Sequence, residues 1–150
     1  MKRKPLPMMH KLRMIHNTIK EQRNRHLNKY DLTSSQMDVL FFLKQHEGKE
    51  INQREIEKGL RLKNPTVTGI LNRLEEKGFI LRKTNPTDKR YRVIEVTEKS
   101  NRMLEEIGEE LWEQDERICN CMTAEEQQIL EELLERILNN MTENKEEKEC

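Results

Sequence analysis

The stretch that decides the fold runs from residue 64 to residue 78 and reads NPTVTGILNRLEEKG. It places the capping side chain of Asn64 before a proline and ends on Gly78, where a helix terminates, so it predicts a helix over 65–77. The apolar residues of this helix recur at i, i+3, i+4 and i+7, which is the spacing of a face that packs on a core. They are Val67, Ile70, Leu71 and Leu74.

The opposite face of the predicted helix is small and polar. It presents Pro65, Gly69, Asn72 and Glu76, flanked by Thr66, Thr68 and Arg73. Slender side chains near a helix N-terminus suit the major groove of DNA, which is about 12 Å wide. Asn72 can then make paired amide contacts with adenine, and Arg73 can reach a guanine edge or a phosphate.

A shorter helix precedes this segment and a basic hairpin follows it. Asn52 can cap a helix over about 53–60, whose inward residues are Ile56 and Leu60, and residues 61–63 form its exit turn. Residues 79–82 and 91–96 are rich in β-formers, and the turn sequence of residues 85–88 separates them. The hairpin carries Arg82, Lys83, Lys89, Arg90 and Arg92. The order predicts a winged helix-turn-helix, with Asn52, Gln53, Arg54 and Lys63 on backbone phosphates.

Longer helices flank this centre. Apolar residues at steps of three and four predict a helix over 8–30, and a capping box at 33–36 opens a buried helix that ends near residues 46–48. Thr97 caps a helix over 98–120, and a second capping box, at 123–126, opens a helix over 124–141 before a polar tail. The fold class is therefore mostly α with a small β-hairpin wing (α+β). Its regions are an N-terminal helix at 1–31, the winged helix-turn-helix at 32–97 and C-terminal helices at 98–150.

The composition indicates that the chain shares part of its core with a partner. Hydrophobic residues make up 33% and charged residues 37% of 150 residues, and mean hydropathy is −1.01. The flanking helices carry apolar stripes that one small winged helix cannot cover, so we expect a homodimer in which they pack on a second copy. Such a dimer would set its recognition helices roughly 34 Å apart, on a pseudo-palindromic operator in double-stranded DNA.

The net charge of zero hides strong segregation along the chain. Residues 1–30 carry +8 and residues 61–92 carry +6, whereas residues 93–122 and 123–150 each carry −6. A DNA duplex would be attracted to residues 61–92 and would repel the acidic C-terminal half. This difference would set the orientation of the protein on the duplex.

Several functional classes are disfavoured. No apolar run is long enough for a membrane span and the start lacks a secretory stretch, so we expect a cytoplasmic protein without a membrane partner. Cys119, Cys121 and Cys150 show no framework or zinc spacing and are expected to be reduced thiols. The four histidines show no metal spacing either. No catalytic motif or phosphate-binding loop stands out, so the chain is expected to be no enzyme and to need no cofactor or metal.

Three segments resemble the MarR family of bacterial transcription regulators: residues 32–40 (LTSSQMDVL), 64–78 and 88–97 (DKRYRVIEVT). The likeness covers residues 32–100, with conservative departures at Val96, where leucine is usual, and Ser100, where glycine is usual. It implies a winged-helix homodimer whose first and last two helices dimerise. It also implies that Arg90 at the wing tip enters the minor groove, that Asp88 is its partner, and that Arg82 braces the wing through Asp88.

The resemblance completes the predicted sites. The DNA-binding set is Asn52, Gln53, Arg54, Lys63, Asn64, Pro65, Thr66, Thr68, Gly69, Asn72, Arg73, Arg82, Asp88, Lys89 and Arg90. Relatives commonly bind a small lipophilic or aromatic effector between the dimer helices and the winged domain. The candidates here are Met8, Met9, Leu12, Met14, His16 and Phe42, with Trp112 more remote.

The leading hypothesis is thus a dimeric, sequence-specific repressor that a small ligand releases. An activator or an architectural DNA binder without effector is the first alternative, and a helical protein-interaction adaptor is the second. A DNA binder loses affinity for duplex steeply as salt rises, whereas an adaptor hardly binds duplex at all.

Overall fold

The computed structural model describes residues 6–146, with side chains described through residue 142. The first five residues and the end of the predicted polar tail, with Cys150, lie outside the described residues. The elements are α1 (Pro7–Leu27), a 3-10 turn (Asn28–Tyr30), α2 (Ser34–Gln45), α3 (Gln53–Leu60), α4 (Asn64–Glu76), β1 (Ile80–Thr84), β2 (Arg92–Val96), α5 (Glu98–Cys119) and α6 (Ala124–Glu146). The predicted fold class, mostly helical with one hairpin, is confirmed.

The chain divides into two compact units, and the division falls inside α5. One unit comprises the residues up to 106 and holds the whole winged helix-turn-helix, and the other comprises the residues from 107 on. Within residues 6–146, none of the helices combines the length and the apolar character that crossing a bilayer requires.

Capping boxes begin three of the helices. At α2, the Gln36 backbone N–H donates to Thr33 Oγ1 at 3.2 Å and the Thr33 N–H donates to Gln36 Oε1 at 3.1 Å. The same reciprocal pair joins Thr123 and Glu126 at α6, as predicted. Because each box satisfies two backbone donors that the first turn would leave unpaired, these helix starts are set locally.

The ends of α4 differ in how well local rules describe them. Gly78 adopts a φ of +77°, and the N–H groups of Phe79 and Gly78 donate to Leu74 O at 2.9 Å and Glu75 O at 3.0 Å, which is a Schellman stop. At the other end the prediction was wrong. Lys63, not Asn64, is the N-cap residue and makes no side-chain capping bond, so α4 starts one residue early, at Asn64 itself.

The core of the first unit is assembled from the helix-turn-helix and the wing, where the wing is the hairpin of residues 80–96. The predicted apolar face of α4 (Val67, Ile70, Leu71 and Leu74) is buried. It shares the core with Leu27, Leu40, Leu43, Ile51, Ile56, Phe79, Ile80, Val93 and Ile94. Burial of this face fixes which side of α4 remains on the surface.

The wing strands pair antiparallel in the register Ile80 with Val96, Arg82 with Ile94 and Thr84 with Arg92. The Ile94 N–H donates to Ile51 O at 2.8 Å, so β2 is tied to the segment just before α3. This bond anchors the base of the wing to the helix-turn-helix. The strands begin one residue later than predicted on each side, and the first one extends to Thr84.

Three helices keep large apolar side chains exposed, and on α5 these are Trp112 and Ile118. On α1 the exposed side chains are Met8, Met9, Met14 and Ile15. On α6 they are Ile129, Leu130, Leu133, Leu134, Leu138 and Met141. Such continuous apolar rows are unusual on the surface of a chain that acts alone.

Candidate nucleic-acid interface

α3, α4 and the wing surround one groove of about 440 Å³, which we call the α4–wing groove. It is lined by Asn52, Gln53, Arg54, Glu57, Asn64, Thr68, Arg82, Arg90, Tyr91, Arg92 and Ile94. Seven of the predicted DNA-binding residues therefore lie on one concave surface. Four arginines and a single carboxylate line it, so the groove favours an anionic ligand of extended shape.

A hydrogen-bond network fixes α3 against α4 at the floor of this groove. The Glu57 carboxylate accepts from Gln53 Nε2 at 3.1 Å and from Asn64 Nδ2 at 2.7 Å, both onto Oε1. Gln53 Nε2 also donates to Thr68 Oγ1 at 2.8 Å. These bonds explain why Asn64 does not cap α4: its amide donates to a carboxylate seven residues earlier. The network holds the two helices of the motif at a fixed angle.

The predicted outer face of α4 lies on the surface. Pro65, Thr66, Gly69 and Arg73 are exposed, and Thr68 is half-buried. A Cβ placed on Gly69 meets nothing within 4 Å, so the middle of this face is open to a close approach. Small residues around an open centre fit a helix that inserts into a DNA groove.

Arg82 does not brace the wing through Asp88, which corrects the role that the resemblance implied. Its Nε donates to Glu75 Oε2, and its Nη2 donates to Asn72 Oδ1 at 2.7 Å. One guanidinium on β1 thus bridges two residues on the outer side of α4, and only 19% of its side chain is exposed. The hairpin register places Arg82 opposite Ile94, at the middle of the strand ladder.

Asp88 instead pairs with Arg90 at the wing tip. Arg90 Nε and Nη2 donate to the two carboxylate oxygens, both at 3.0 Å, and the Arg90 backbone N–H adds a third bond at 3.1 Å. The side-chain bonds from Arg90, with the backbone bond second, hold the pKa of Asp88 below its usual value, and Asp88 in turn raises the pKa of Arg90. The forked pair neutralises the carboxylate and orients the guanidinium, which is 83% exposed. Lys89, between them, is exposed.

Tyr91 was not among the predicted site residues. Its ring centre lies 5.8 Å from the Arg54 guanidinium and 5.9 Å from that of Arg90, so one aromatic ring links the start of α3 to the wing tip. Arg92, which also lines the α4–wing groove, was assigned to the hairpin but not to the site. The sequence Lys89-Arg90-Tyr91-Arg92, an aromatic residue inside a basic run, was the available clue.

The residues expected on phosphates fall into two groups. Asn52 is occupied as the cap of α3, where it accepts from the Glu55 N–H at 3.1 Å while the Asn52 N–H donates to Glu55 at 2.7 Å. Arg54 and Lys63 are exposed cations at opposite ends of α3 and its turn. The two cations are thus placed for contact with a polyanion.

The candidate effector residues are dispersed. His16 lines a cavity of about 340 Å³ with Ile19, Lys20, Arg23, Ser34, Ser35, Asp38, Leu60 and Leu62. Met8, Met9 and Met14 are exposed, Leu12 is half-buried, and Trp112, in the second unit, is 69% exposed. Phe42 stacks on His46 with ring centres 4.3 Å apart, away from this cavity. Of the six candidates, His16 alone lines it.

Asp38 is the one carboxylate of this cavity. Burial raises its pKa, against the opposing effect of Arg23, His16 and Lys20. Arg23 Nη1 lies 3.8 Å from Asp38 Oδ1. With the cations Lys20 and Arg23 against one carboxylate whose side chain is 49% exposed, the lining of this cavity is net positive.

The thiols and metal-ligating groups form no cluster in the part of the chain that is described. Cys119 is half-buried and Cys121 exposed, both as free thiols. No three His, Cys, Asp or Glu residues come together there as metal ligands.

Known proteins match this chain along most of its length. The sequence profile described as the MarR family matches residues 32–91. An uncharacterised HTH-type transcriptional regulator of Bacillus thuringiensis subsp. konkukian is 30% identical over 122 residues, which is 81% of this chain and 80% of that protein. The chain belongs to the MarR family. It is a DNA-binding transcription regulator of the winged helix-turn-helix type.

Two further comparisons extend the MarR likeness beyond residues 32–91. The HTH-type transcriptional regulator MhqR of Bacillus subtilis (strain 168) is 28% identical over 137 residues, 91% of this chain and 93% of MhqR. The S. aureus MepR–DNA complex superposes with a TM-score of 0.86 at 25% identity, covering 91% of this chain and 99% of the MepR chain. The flanking helices of the MarR architecture are therefore present as well as its winged centre.

Proposed function

We propose that this MarR-family chain is a homodimeric repressor that binds a pseudo-palindromic operator and leaves it when a small lipophilic or aromatic ligand binds. The observation that carries the proposal is the α4–wing groove, where four arginines stand beside the exposed face of α4. A duplex docked there would place the α4 face in a major groove and Arg90 in the adjacent minor groove, whose negative potential attracts arginine. The relative MepR was solved bound to DNA, which supports this docking.

Dimerisation is supported by the exposed apolar side chains and by the charge distribution of the chain. The exposed apolar rows of α1 and α6 give each copy hydrophobic area to bury. Charge adds to this, because residues 1–30 carry +8 whereas residues 93–122 and 123–150 each carry −6. A two-fold dimer that sets the basic α1 of one copy against the acidic C-terminal helices of the other would satisfy both features.

Ligand control is supported by the cavity that His16 lines. Its walls include Leu60, the last residue of α3, and Leu62, in the turn before α4, so a ligand there would press on the residues that orient α4. A ligand releases the operator only if it binds the arrangement of α3 and α4 that does not bind DNA better than the arrangement that does. We place the protein in the cytoplasm, with its operator, and assign it no catalytic role and no cofactor.

The proposal is tested in three steps with the full chain. Genomic fragments pulled down with the chain should share an inverted repeat, and affinity for that repeat should fall steeply between about 50 and 200 mM salt. Sedimentation at micromolar concentration should give a dimer. A panel of phenolic acids and lipophilic cations should include compounds that release the operator.

Each outcome tests a different part of the proposal. A monomer would refute the account of the apolar rows. Salt-independent or absent duplex binding would favour the adaptor instead. Operator binding that no member of a broad panel weakens would favour an activator or architectural role.

A further inference from the structure

The bridge from Arg82 to α4 determines how Asn72 can contact a base. Arg82 Nη2 donates to Asn72 Oδ1 at 2.7 Å, while its Nε donates to Glu75. We propose that Arg82 restricts Asn72 to donating hydrogen bonds, so that the operator position opposite Asn72 is guanine and not the adenine that an unrestrained asparagine prefers. This inference rests on the proposed docking of α4 in the major groove.

The orientation of the Asn72 amide follows from the chemistry of its partner. A guanidinium offers only donors, so only the oxygen end of the amide can face it. The amide nitrogen is thereby turned away from Arg82, with its two hydrogens available for another acceptor. The bond is charge-assisted, which makes it stronger than a bond between two neutral groups.

The guanidinium itself has little freedom to move aside. Its side chain is 19% exposed, and the Glu75 carboxylate holds its other nitrogen. Asn72 and Glu75 are three residues apart on α4 and therefore lie on one side of the helix. Two acceptors on that side bind two nitrogens of the same planar group, which fixes the plane of the guanidinium as well as its position.

The remaining donors of Asn72 match one purine better than the other. Paired recognition of adenine needs the asparagine oxygen to accept from the adenine 6-amino group while the nitrogen donates to N7. Here Arg82 already occupies one of the two lone pairs of that oxygen, and the positive charge of the guanidinium beside it repels the 6-amino hydrogens from the other. Guanine shows two acceptors, O6 and N7, at the same edge, and both the amide hydrogens and the nearby positive charge favour them.

Arg82 therefore acts as a positioning residue for specificity, although it sits on a strand and not on the recognition helix. Its removal would free the amide to rotate and to pair with both groups of adenine. A paired contact of this kind typically discriminates against the wrong base by about 5- to 100-fold. The effect should be confined to the base pair opposite Asn72 in each half-site.

The experiment is selection of binding sites from a randomised duplex library by the full chain, followed by sequencing. Asn72→Ala identifies the position concerned, because that position should lose its preference. The wild-type chain should select guanine there, and Arg82→Met should shift the selection toward adenine by about tenfold relative to guanine. Arg82→Lys keeps the charge but replaces the planar fork, in which separate nitrogens bind Glu75 and Asn72, with a single ammonium on a flexible stem. It should therefore shift the same position in the same direction, by less than Arg82→Met.

The matched control is Lys83→Met. Lys83 is the next residue on β1, and its Nζ lies 2.6 Å from Glu95 Oε2, so the substitution also removes one wing cation and one ion pair but touches nothing on α4. It should leave every base preference unchanged. Thermal melting by circular dichroism establishes whether each variant is folded. If Arg82→Met is not folded, Arg82→Lys takes its place in the selection experiment.

Three results would overturn the inference while leaving the proposed function intact. In the first, the wild-type chain selects adenine at the position that depends on Asn72. In the second, both Arg82 variants keep the wild-type preference at that position. In the third, Asn72→Ala changes the preference at no position. If the wild-type chain selects no sequence, the proposed function itself fails and this inference with it.

Discussion

Replacing Arg90 with alanine removes an exposed guanidinium from the tip of the wing. The side chain is 83% exposed, and within the described residues its hydrogen bonds go to Asp88. The substitution should therefore leave the fold intact, since an exposed ion pair contributes little to stability. What it changes is charge at the wing tip, where an arginine is lost and a carboxylate is left without its partner.

The expected loss of operator affinity has two parts. A lost arginine contact costs on the order of tenfold, and a dimer has two wings, so the complex should weaken on the order of 100-fold. The slope of log affinity against log salt should fall in magnitude by about one per wing. The second part is repulsion between phosphate and the Asp88 carboxylate, which Arg90 no longer neutralises. Asp88→Asn in the Arg90→Ala background should therefore recover about three- to tenfold of the affinity.

Fluorescence anisotropy with a labelled operator at several salt concentrations measures both parts. Arg117→Ala is the matched control, because it also removes an exposed arginine paired with a carboxylate, at 3.9 Å from Glu113, but it lies on α5. Its affinity should stay near that of the wild-type chain. Near-normal binding by Arg90→Ala, or a double variant that binds no better than Arg90→Ala, would refute the role given to the wing tip.

Four further substitutions test the stability of the fold. Gly59→Ala places a Cβ against the Phe42 ring, so it should lower the free energy of unfolding by about 1–3 kcal/mol. Gly108→Ala, whose Cβ meets nothing within 4 Å, should raise it by about 1 kcal/mol. Urea titrations that give both changes the same sign would contradict this. Arg61 has a φ of +53° at the exit of α3, so Arg61→Gly should stabilise the chain by up to about 1 kcal/mol in the same assay, and a loss would count against it. The pKa of Asp38 is raised, so folding favours the protonated carboxyl, and its ionisation weakens the fold as pH rises through that pKa. Asp38→Asn should therefore raise Tm at pH 7 and raise it less near pH 4. The reverse trend would be evidence against burial as the dominant cause of the raised pKa.

Local determinants of structure were predictable from the sequence. The capping box at Thr33 and Gln36 and the stop at Gly78 depend on residues close in the chain, and the structure confirms them. The core face of α4 follows from helical periodicity alone. These features need no knowledge of tertiary contacts, because a helix boundary is set by the backbone groups of its own first and last turns.

The errors arose where a side chain had more than one available partner. Asn64 was expected to cap α4, but Glu57 on α3 takes its amide. Arg82 was expected to pair with Asp88, but its guanidinium binds Glu75 and Asn72 on α4. Which acceptors a strand residue reaches depends on hairpin register, which the sequence does not fix to one residue. Hydrogen-bond partners set by tertiary geometry therefore escape a reading based on spacing, even when the fold is correct.

The bridge between β1 and α4 has a consequence for how regulators of this kind diverge. Gene duplication yields two copies that compete for the same promoters until one of them changes its target. Residue 82 contacts the α4 amide from a neighbouring strand. On the specificity role proposed for it, a mutation at that codon would give one copy a new target while both kept identical α4 sequences. Paralogues grouped by that helix alone would then be assigned one regulon when they control two.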